Sequence, residues 1–282
     1  TYRLAVDDIC SGYYSQPMLG YLPAQNRSTA FLTGPQAGLD PAAPNACEAV
    51  VLASPTEAVS GTLHLSTGSA SAVIQPADLP VSVPAGESLR LPFSLRLTKP
   101  PSPLSGRTVV PVTASLLSAS GDKLEARTDL PVIDRPMTGV PLVGAGDFLE
   151  QSGGEARLRT DKPNSGGRAL SHWNYKGHRI SWQITLPQTG RYHLAIRYAN
   201  SWGWVSERSL LVDGKPLPGA ETVRSPPVGT VLDEWATMPV RLASGAPAAW
   251  ELTAGPHRIT MENTNDCWLN LDQLAFVPVP AP

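Results

Sequence analysis

The chain has 282 residues, enough for two domains that each bury a core, and its formal net charge of −2 excludes the basic stripe that nucleic-acid binding needs. Hydrophobic residues make up 41% and charged residues 16%, which excludes a disordered chain. The 29 prolines are about twice the usual share and favour short strands joined by turns. No apolar run is long enough for membrane insertion and no signal peptide stands at Thr1, so we expect a soluble, already processed chain.

The first half of the chain has the pattern of successive β-strands. Apolar residues alternate in GTLHLSTG, SLRLPFSLRL and VVPVTASLL, and turn signals separate these runs at the spacing of a β-sandwich. Pro92 and Pro111 favour edge positions because proline cannot donate to a ladder. Over residues 1–136 we therefore predict an immunoglobulin-like β-sandwich that carries no catalytic residues.

Three cysteines, Cys10, Cys47 and Cys267, lack the CxxC spacing of zinc or redox sites. Cys10 and Cys47 lie in the same N-terminal segment, so they are predicted to form one disulfide if the protein is secreted. The alternative is three unpaired thiols. The five histidines show no HxH or HxxxH pair, so a transition-metal site is not predicted.

A stretch rich in proline and glycine, DRPMTGVPLVGAG at residues 134–146, divides the chain. All seven tryptophans follow this stretch, so the two halves differ in composition. We predict a domain junction here, with a first domain at residues 1–136 and a second at residues 146–279.

The second half is also rich in strands, and RISWQITLP is the most regular of them. Its alternation places Ile180, Trp182 and Ile184 on one face, which predicts that Trp182 lies in the core. RYHLAIRYAN follows, and SLLVDGKPL contains the hairpin signal Asp213-Gly214. ATMPVRLASG, GPHRITMEN and WLNLDQLAFVPV complete an antiparallel set. No stretch has the period of a helix, so the whole chain is predicted to be all-β.

The order of these motifs resembles that of carbohydrate-binding modules of the family 6 and family 35 type. TGRYHLAIRYAN and NLDQLAF are the most specific parts, and SGG at residues 165–167 and the aromatic HWNYKG precede them. The resemblance runs from about Asp147 to Val277. It implies a galactose-binding-like (jelly-roll) β-sandwich for residues 146–279 and non-catalytic sugar binding as its function.

In such modules one ligand site lies in the loops at one end of the sandwich. The corresponding loops here carry Trp173, Tyr175, Trp202, Trp204, Asn265 and Trp268, which are the predicted carbohydrate-binding residues. An indole stacks on the C–H-rich face of a pyranose, and burying such a large side chain contributes about 1.5–3 kcal/mol. An asparagine amide offers both a donor and an acceptor to hydroxyl groups. For Trp202 and Trp204 the alternative is packing against the first domain.

The resemblance also implies a structural calcium ion, held by two alternate glutamates on the first strand and an aspartate on the last. Here LEQSGG supplies Glu150 but has Ser152 in place of the second glutamate, and Asp272 in NLDQL matches the aspartate. Calcium takes six to eight oxygen ligands, and backbone carbonyls would complete the set. The predicted cofactor is therefore one calcium ion, held by Glu150 and Asp272.

Three functions remain open from the sequence. The first is a secreted, periplasmic or cell-surface protein that binds a carbohydrate or polysaccharide, alone or as the accessory region of a glycoside hydrolase or polysaccharide lyase. The second is an adhesion or assembly protein that uses both sandwiches for protein contacts. The third is a small enzyme, but the loop acids Glu207, Asp233 and Glu234 do not establish the two-carboxylate geometry of glycoside hydrolysis. The loops that carry aromatic residues and asparagine favour the first function.

Overall fold

The structure is a computed structural model that describes residues 27–102, 104–118, 121, 123–201, 203–229 and 234–280. Apart from one 3₁₀ turn, the regular elements in these ranges are β-strands, which confirms the all-β prediction. None of these ranges contains a helix with the length and apolarity to cross a membrane. The described chain divides into two compact units, the first at 27–101 and 108–133 and the second at 102–107 and 134–280.

The first unit is built from two antiparallel sheets that share one core. Its strands are β1 (Thr29–Thr33), β2 (Asn45–Leu52), β3 (Val59–Thr67), β4 (Ala72–Gln75), β5 (Asp78–Val83), β6 (Ser88–Leu97), β7 (Val109–Leu117) and β8 (Lys123–Pro131). The sheet orders are β1-β2-β6-β4 and β5-β3-β7-β8. On β6, for example, Leu91, Phe93, Leu95 and Leu97 alternate into the core. The β-sandwich is thus present, and its immunoglobulin-like character stays a prediction.

Pro92 and Pro111 lie on central strands, not on the edge strands that the sequence favoured. On one side, however, the pairing with the neighbouring strand ends before it reaches the proline. The pairing of β4 with β6 reaches only to Ser94, and the pairing of β3 with β7 reaches only to Val112. The missing proline N–H therefore costs no ladder hydrogen bond on that side.

The second unit is a sandwich of two larger sheets. Its strands are β9 (Leu142–Gly144), β10 (Glu150–Ser152), β11 (Arg157–Arg159), β12 (Ala169–Ser171), β13 (Arg179–Leu186), β14 (Gly190–Ala199), β15 (Ser206–Val212), β16 (Lys215–Pro216), β17 (Thr222–Ser225), β18 (Ala236–Pro239), β19 (Trp250–Leu252), β20 (Gly255–Asn263) and β21 (Asn270–Pro278). One sheet has the order β10-β13-β20-β15-β16, with β17 also beside β15. The other has the order β11-β12-β21-β14-β18, with β19 beside β14 and β9 beside β21. Trp182 is fully buried between the sheets, as its alternation predicted.

The stretch at residues 134–146 is part of the second unit. Met137 is buried, and its backbone N–H donates to Gln273 Oε1 at 2.8 Å. β9 pairs with β21 through Gly144 opposite Gln273. Trp182 Nε1 donates to the carbonyl oxygen of Ala145 at 2.8 Å. The main continuous segment of the second unit therefore begins at Asp134.

Cys10 lies outside the described residues, so its disulfide with Cys47 stays a prediction. Cys47 is on β2, in the core of the first unit. Burial raises the pKa of the Cys47 thiol to about 11. Because the thiolate is the reactive form, this side chain is a poor nucleophile at neutral pH.

The structure contains the predicted hairpin at Asp213-Gly214, between β15 and β16. His257 forms a hydrogen bond with the first residue of this turn. The ring nitrogen Nδ1 of His257 lies 2.7 Å from Asp213 Oδ2, and Nε2 lies 2.8 Å from the carbonyl oxygen of Thr253. Both partners accept hydrogen bonds, so both ring nitrogens donate only in the imidazolium form. Burial acts to lower the pKa of His257, but the Thr253 and Asp213 contacts outweigh it and the pKa is raised overall.

We expect this contact to stabilise the second unit in acid and to be lost in mild base. Because the folded pKa lies above the unfolded value of about 6.5, the stabilisation is complete below that value and disappears as the pH rises through the folded pKa. His257→Gln should therefore lower the thermal midpoint strongly at acidic pH and weakly in mild base. Thermal unfolding of both proteins at the two pH values measures this, and an equal difference at both would contradict it.

Candidate functional site

Three loops meet at one end of the second unit. They are residues 172–178 after β12, residues 200–205 between β14 and β15, and residues 264–269 between β20 and β21. Asn265 Nδ2 donates to the carbonyl oxygen of Val205 at 2.9 Å, and the backbone N–H of Lys176 donates to Asp266 Oδ1 at 2.6 Å. The loops are therefore joined to one another directly.

Among the described residues, each of these loops presents an exposed aromatic side chain. Tyr175, Trp204 and Trp268 are exposed by 60%, 58% and 46%, and we call these three residues the aromatic loop surface. Their backbones are held by hydrogen bonds: Asn200 Nδ2 donates to the carbonyl oxygen of Trp204 at 2.8 Å, and Ser206 Oγ donates to that of Trp268. Exposed rings on a fixed backbone are suited to stacking, because little ordering entropy is lost on binding.

Trp173 does not belong to the aromatic loop surface, which corrects the sequence prediction. The residue is fully buried, its Nε1 donates to the carbonyl oxygen of His178 at 3.0 Å, and its ring packs edge-on against Trp182 with centroids 6.0 Å apart. His172 has a φ of 61°, a left-handed conformation that turns the chain directly after β12. The indole consequently lies in the core of the second unit.

Asn265 joins two of the loops, and its predicted contact with sugar stays a prediction. Its Oδ1 accepts from the backbone N–H groups of Glu207 (3.1 Å) and Cys267 (3.4 Å), and its Nδ2 donates to Val205. Most of the amide's hydrogen-bonding capacity is thus used inside the protein, where it joins the loops of Trp204 and Trp268. Trp202 lies outside the described residues, so its role in sugar binding stays a prediction.

Arg208 on β15 joins the loops from below, and sequence reasoning missed it. The side chain is fully buried. Nη2 donates to the carbonyl oxygens of Trp173 (2.8 Å) and Cys267 (2.9 Å). Nη1 donates to the carbonyl oxygen of Glu207 (2.8 Å) and to Oδ1 of the Asn263 side chain (3.0 Å). The alternation in SERSLLV could have predicted its burial, because Arg208 stands two residues before Leu210 and so on the same buried face of the strand.

The charge of Arg208 is held without a carboxylate hydrogen-bonded to it. The guanidinium carbon lies 4.6 Å from the centroid of the Trp173 ring, a cation–π contact. Burial lowers the pKa of Arg208 to about 9, so the group is still charged at neutral pH. Within the described ranges, the buried side-chain polar atoms that have no partner are Asn174 Oδ1, His178 Nδ1, Arg208 Nε and Thr264 Oγ1. Asn174, His178 and Thr264 stand in the loops at this end of the unit, and Arg208 is hydrogen-bonded to two of these loops.

The residues predicted to hold calcium do not fit that ion. Glu150 lies on β10 in one sheet and forms an ion pair with Arg258, whereas Asp272 lies on β21 in the other sheet. Asp272 Oδ2 accepts from Arg197 Nη1 at 2.5 Å, and Oδ1 accepts from the N–H of Gly166 at 2.7 Å. β9, the neighbour of β21, contributes only Leu, Val and Gly. The described part of the chain contains no cluster of three His, Cys, Asp or Glu residues.

We therefore expect calcium and chelators to leave the thermal midpoint of the second unit unchanged. An ion that binds only the folded state at one hundred times its Kd would add about 2.7 kcal/mol of stability, which calorimetry detects easily. Scanning calorimetry with millimolar calcium, with magnesium and with a chelator makes the comparison. A midpoint that rises only with calcium in the wild type, and not in Asp272→Asn, would restore the predicted site.

No family model and no curated protein matches the chain. Among solved structures, the CBM35 of Cellvibrio japonicus Abf62 is 22% identical and matches 49% of this chain and 93% of its own length, with a TM-score of 0.39. A CBM6 module of Cellvibrio mixtus lichenase 5A, in complex with cellotriose, is 20% identical over 50% of this chain and 98% of its own, with a TM-score of 0.37. The GH26-CBM35 β-(1,4)-mannanase of Podospora anserina is 22% identical over 51% of this chain, with a TM-score of 0.40, but only 29% of the mannanase is covered. At this level of similarity, function has to be inferred from the side chains of the second unit.

Proposed function

We propose that the second unit binds carbohydrate through Tyr175, Trp204 and Trp268 and does not transform it. The observation that carries this proposal is the presence of three exposed aromatic residues on three hydrogen-bonded loops at one end of the unit. The C–H faces of pyranose rings stack on such side chains, and each contact buries apolar surface worth about 1.5–3 kcal/mol. The resemblance of the surrounding motifs to sugar-binding modules supports the same function.

The acids near the aromatic loop surface support binding without catalysis. Glu207 Oε1 accepts from Arg224 Nε at 3.0 Å, and Asp266 Oδ1 accepts from the backbone of Lys176. Both carboxylates therefore make contacts within the protein, whereas glycoside hydrolysis needs two carboxyl groups that face a scissile bond. In this proposal the chain is a secreted, periplasmic or cell-surface binding protein, or the accessory region of an enzyme that acts on polysaccharides.

Affinity gel electrophoresis with soluble polysaccharides tests the proposal. We expect at least one of mannan, xylan, a mixed-linkage β-glucan and dextran to retard the wild type. Trp268→Ala and Tyr175→Ala should each weaken that binding by about tenfold, because a lost stacking contact of about 1.4 kcal/mol changes Kd by that factor.

Leu149→Ala is the matched control, since Leu149 is an exposed apolar residue of the same unit and is 55% exposed. Its retardation should equal that of the wild type. If no polysaccharide of the panel retards the protein, or if the aromatic variants bind like the control, carbohydrate binding by this surface is wrong. Protein contacts would then be the better account of the exposed rings.

A further inference from the structure

We propose that the carbohydrate site continues from Trp204 into a groove on the side of the second unit. The ligand is then an extended carbohydrate chain and not a single terminal sugar. This inference rests on the proposed function, because the groove is argued as an extension of the aromatic loop surface.

The groove lies between the outer strands of the two sheets and has a volume of about 620 Å³. β17 contributes Thr222 and Arg224 to one wall. β18 and the turn that follows it contribute Met238 and Leu242, among others, to the opposite wall. Binding sites for small molecules commonly have volumes of about 300–1,000 Å³, so the groove is large enough to hold part of a sugar chain.

The strand topology opens this groove at the loop that bears Trp204. Residues 200–205 connect β14 to β15, while β18 lies beside β14 and β17 lies beside β15. The loop leaves β14 beside the first residue of β18 and enters β15 beside the last residue of β17. One end of the gap between β17 and β18 therefore lies at this loop. Val205, which directly follows Trp204, itself lines the groove and is 40% exposed. Trp204 and the groove are therefore neighbours, joined through Val205.

The wall of the groove is also fixed to the aromatic loops by side-chain contacts. Arg224 Nη2 lies 2.9 Å from Glu207 Oε1. The backbone N–H of Glu207 donates to Asn265 Oδ1 at 3.1 Å, in the loop that carries Trp268. Rings and groove wall are consequently held in one arrangement, which lowers the ordering cost of binding a ligand across both.

The lining has the mixture of groups that a sugar chain requires. Val205, Met238 and Leu242 are apolar and suit the C–H faces of pyranose rings. Arg224 and Arg241 present guanidinium donors for hydroxyl groups, and Arg241 uses one N–H within its own turn, on the carbonyl oxygen of Gly245 at 2.7 Å. The wall strand from Ser225 to Thr222 advances about 10 Å, which exceeds the length of one sugar ring.

Calorimetric titration with oligosaccharides of increasing length tests the inference. They are prepared from whichever polysaccharide of the panel retards the protein. For the wild type, affinity should rise by at least about tenfold from the disaccharide to the hexasaccharide, equivalent to 1.4 kcal/mol. Thr222→Trp fills the groove from an exposed position and should abolish this gain, with the disaccharide affinity within about twofold of wild type. Thr185→Trp makes the same substitution at an exposed position of β13 and should keep the gain.

The outcomes separate the groove from the aromatic site. A wild type that binds disaccharide and hexasaccharide equally, with Trp204→Ala abolishing both, overturns the groove and retains the aromatic loop surface. A gain that survives Thr222→Trp also overturns the groove. Unchanged binding in Trp204→Ala overturns the proposed function itself. If Thr222→Trp fails to fold, Arg241→Ala gives the same test, because it removes only an exposed guanidinium and should still reduce the gain with length.

Discussion

Replacing Trp173 by alanine should lower the free energy of unfolding of the second unit by about 3–5 kcal/mol, the cost of truncating a buried tryptophan. The residue is fully buried against Trp182, and its ring lies under the guanidinium of Arg208. Its indole also donates to His178 at the far end of its loop. Truncation would therefore open a cavity and remove a hydrogen bond and a cation–π contact together. Chemical denaturation followed by circular dichroism measures the loss.

Trp268→Ala is the matched control for this prediction, because Trp268 is a tryptophan at the same end of the unit but is half exposed. A surface substitution usually changes stability by no more than about 0.5 kcal/mol. If Trp173→Ala is as stable as the wild type and loses only sugar binding, Trp173 is a ligand residue after all. The correction made from its burial would then be wrong.

Arg197→Met should destabilise the second unit by a comparable amount. Arg197 on β14 is fully buried; its Nε donates to Asp134 Oδ1 at 2.8 Å and its Nη1 to Asp272 Oδ2 at 2.5 Å. Nη2 donates to the carbonyl oxygens of Asp134 (2.5 Å) and Asn164 (2.9 Å). Removing the only cation of this trio leaves two carboxylates without a partner charge, which typically costs about 3–5 kcal/mol.

Arg197→Lys separates the charge from the geometry. A lysine ammonium has three donors at one point and cannot reach the acceptors that the planar guanidinium spans, so we expect it to restore only part of the lost stability. Denaturation curves of the two variants beside the wild type make the comparison. If Arg197→Met lowers the free energy of unfolding by less than about 1 kcal/mol, the network stabilises the unit no more than an exposed ion pair does.

Local alternation was enough to predict β3, β6, β7, β13, β14, β15, β20 and β21, because one buried face imposes a period of two. Trp182 was placed correctly for this reason, and the Asp213-Gly214 turn was placed by its residue types. β14 shows the limit of that reasoning. Tyr192, Leu194, Ile196 and Tyr198 alternate along the strand and are buried, but Ala195 and Arg197 on the other face are buried as well.

The second face of β14 is covered by a segment that the sequence marked as a linker. Met137 packs with Ala195 and Ala275, and Val140 and Leu142 lie against the same cluster. Proline and glycine in DRPMTGVPLVGAG indicate turns, but they do not reveal that the segment lies across the sheet. The same long-range contact brings Asp134 to Arg197, so neither the buried ion network nor the place of Asp272 in it could be predicted from local patterns.

The aromatic site was predicted in part for a similar reason. Trp204 stands beside Gly203, where the alternation stops; the sequence left its packing against the first domain open as an alternative, and the structure exposes it. The inward direction of Trp173 depends on the backbone of His172, and the use of Asn265 depends on partners far along the chain. Residue type identifies the loops that carry ligand chemistry, but hydrogen bonds between loops decide which of their side chains face solvent.

The most direct test of carbohydrate binding by the aromatic loop surface is the Kd of Trp204→Ala for the retarding polysaccharide, measured beside its denaturation curve. Carbohydrate stacking on Trp204 predicts that Kd rises by at least about tenfold. It also predicts an unfolding free energy within about 0.5 kcal/mol of the wild type. An unchanged Kd, and above all an unchanged Kd together with a large loss of stability, would contradict it.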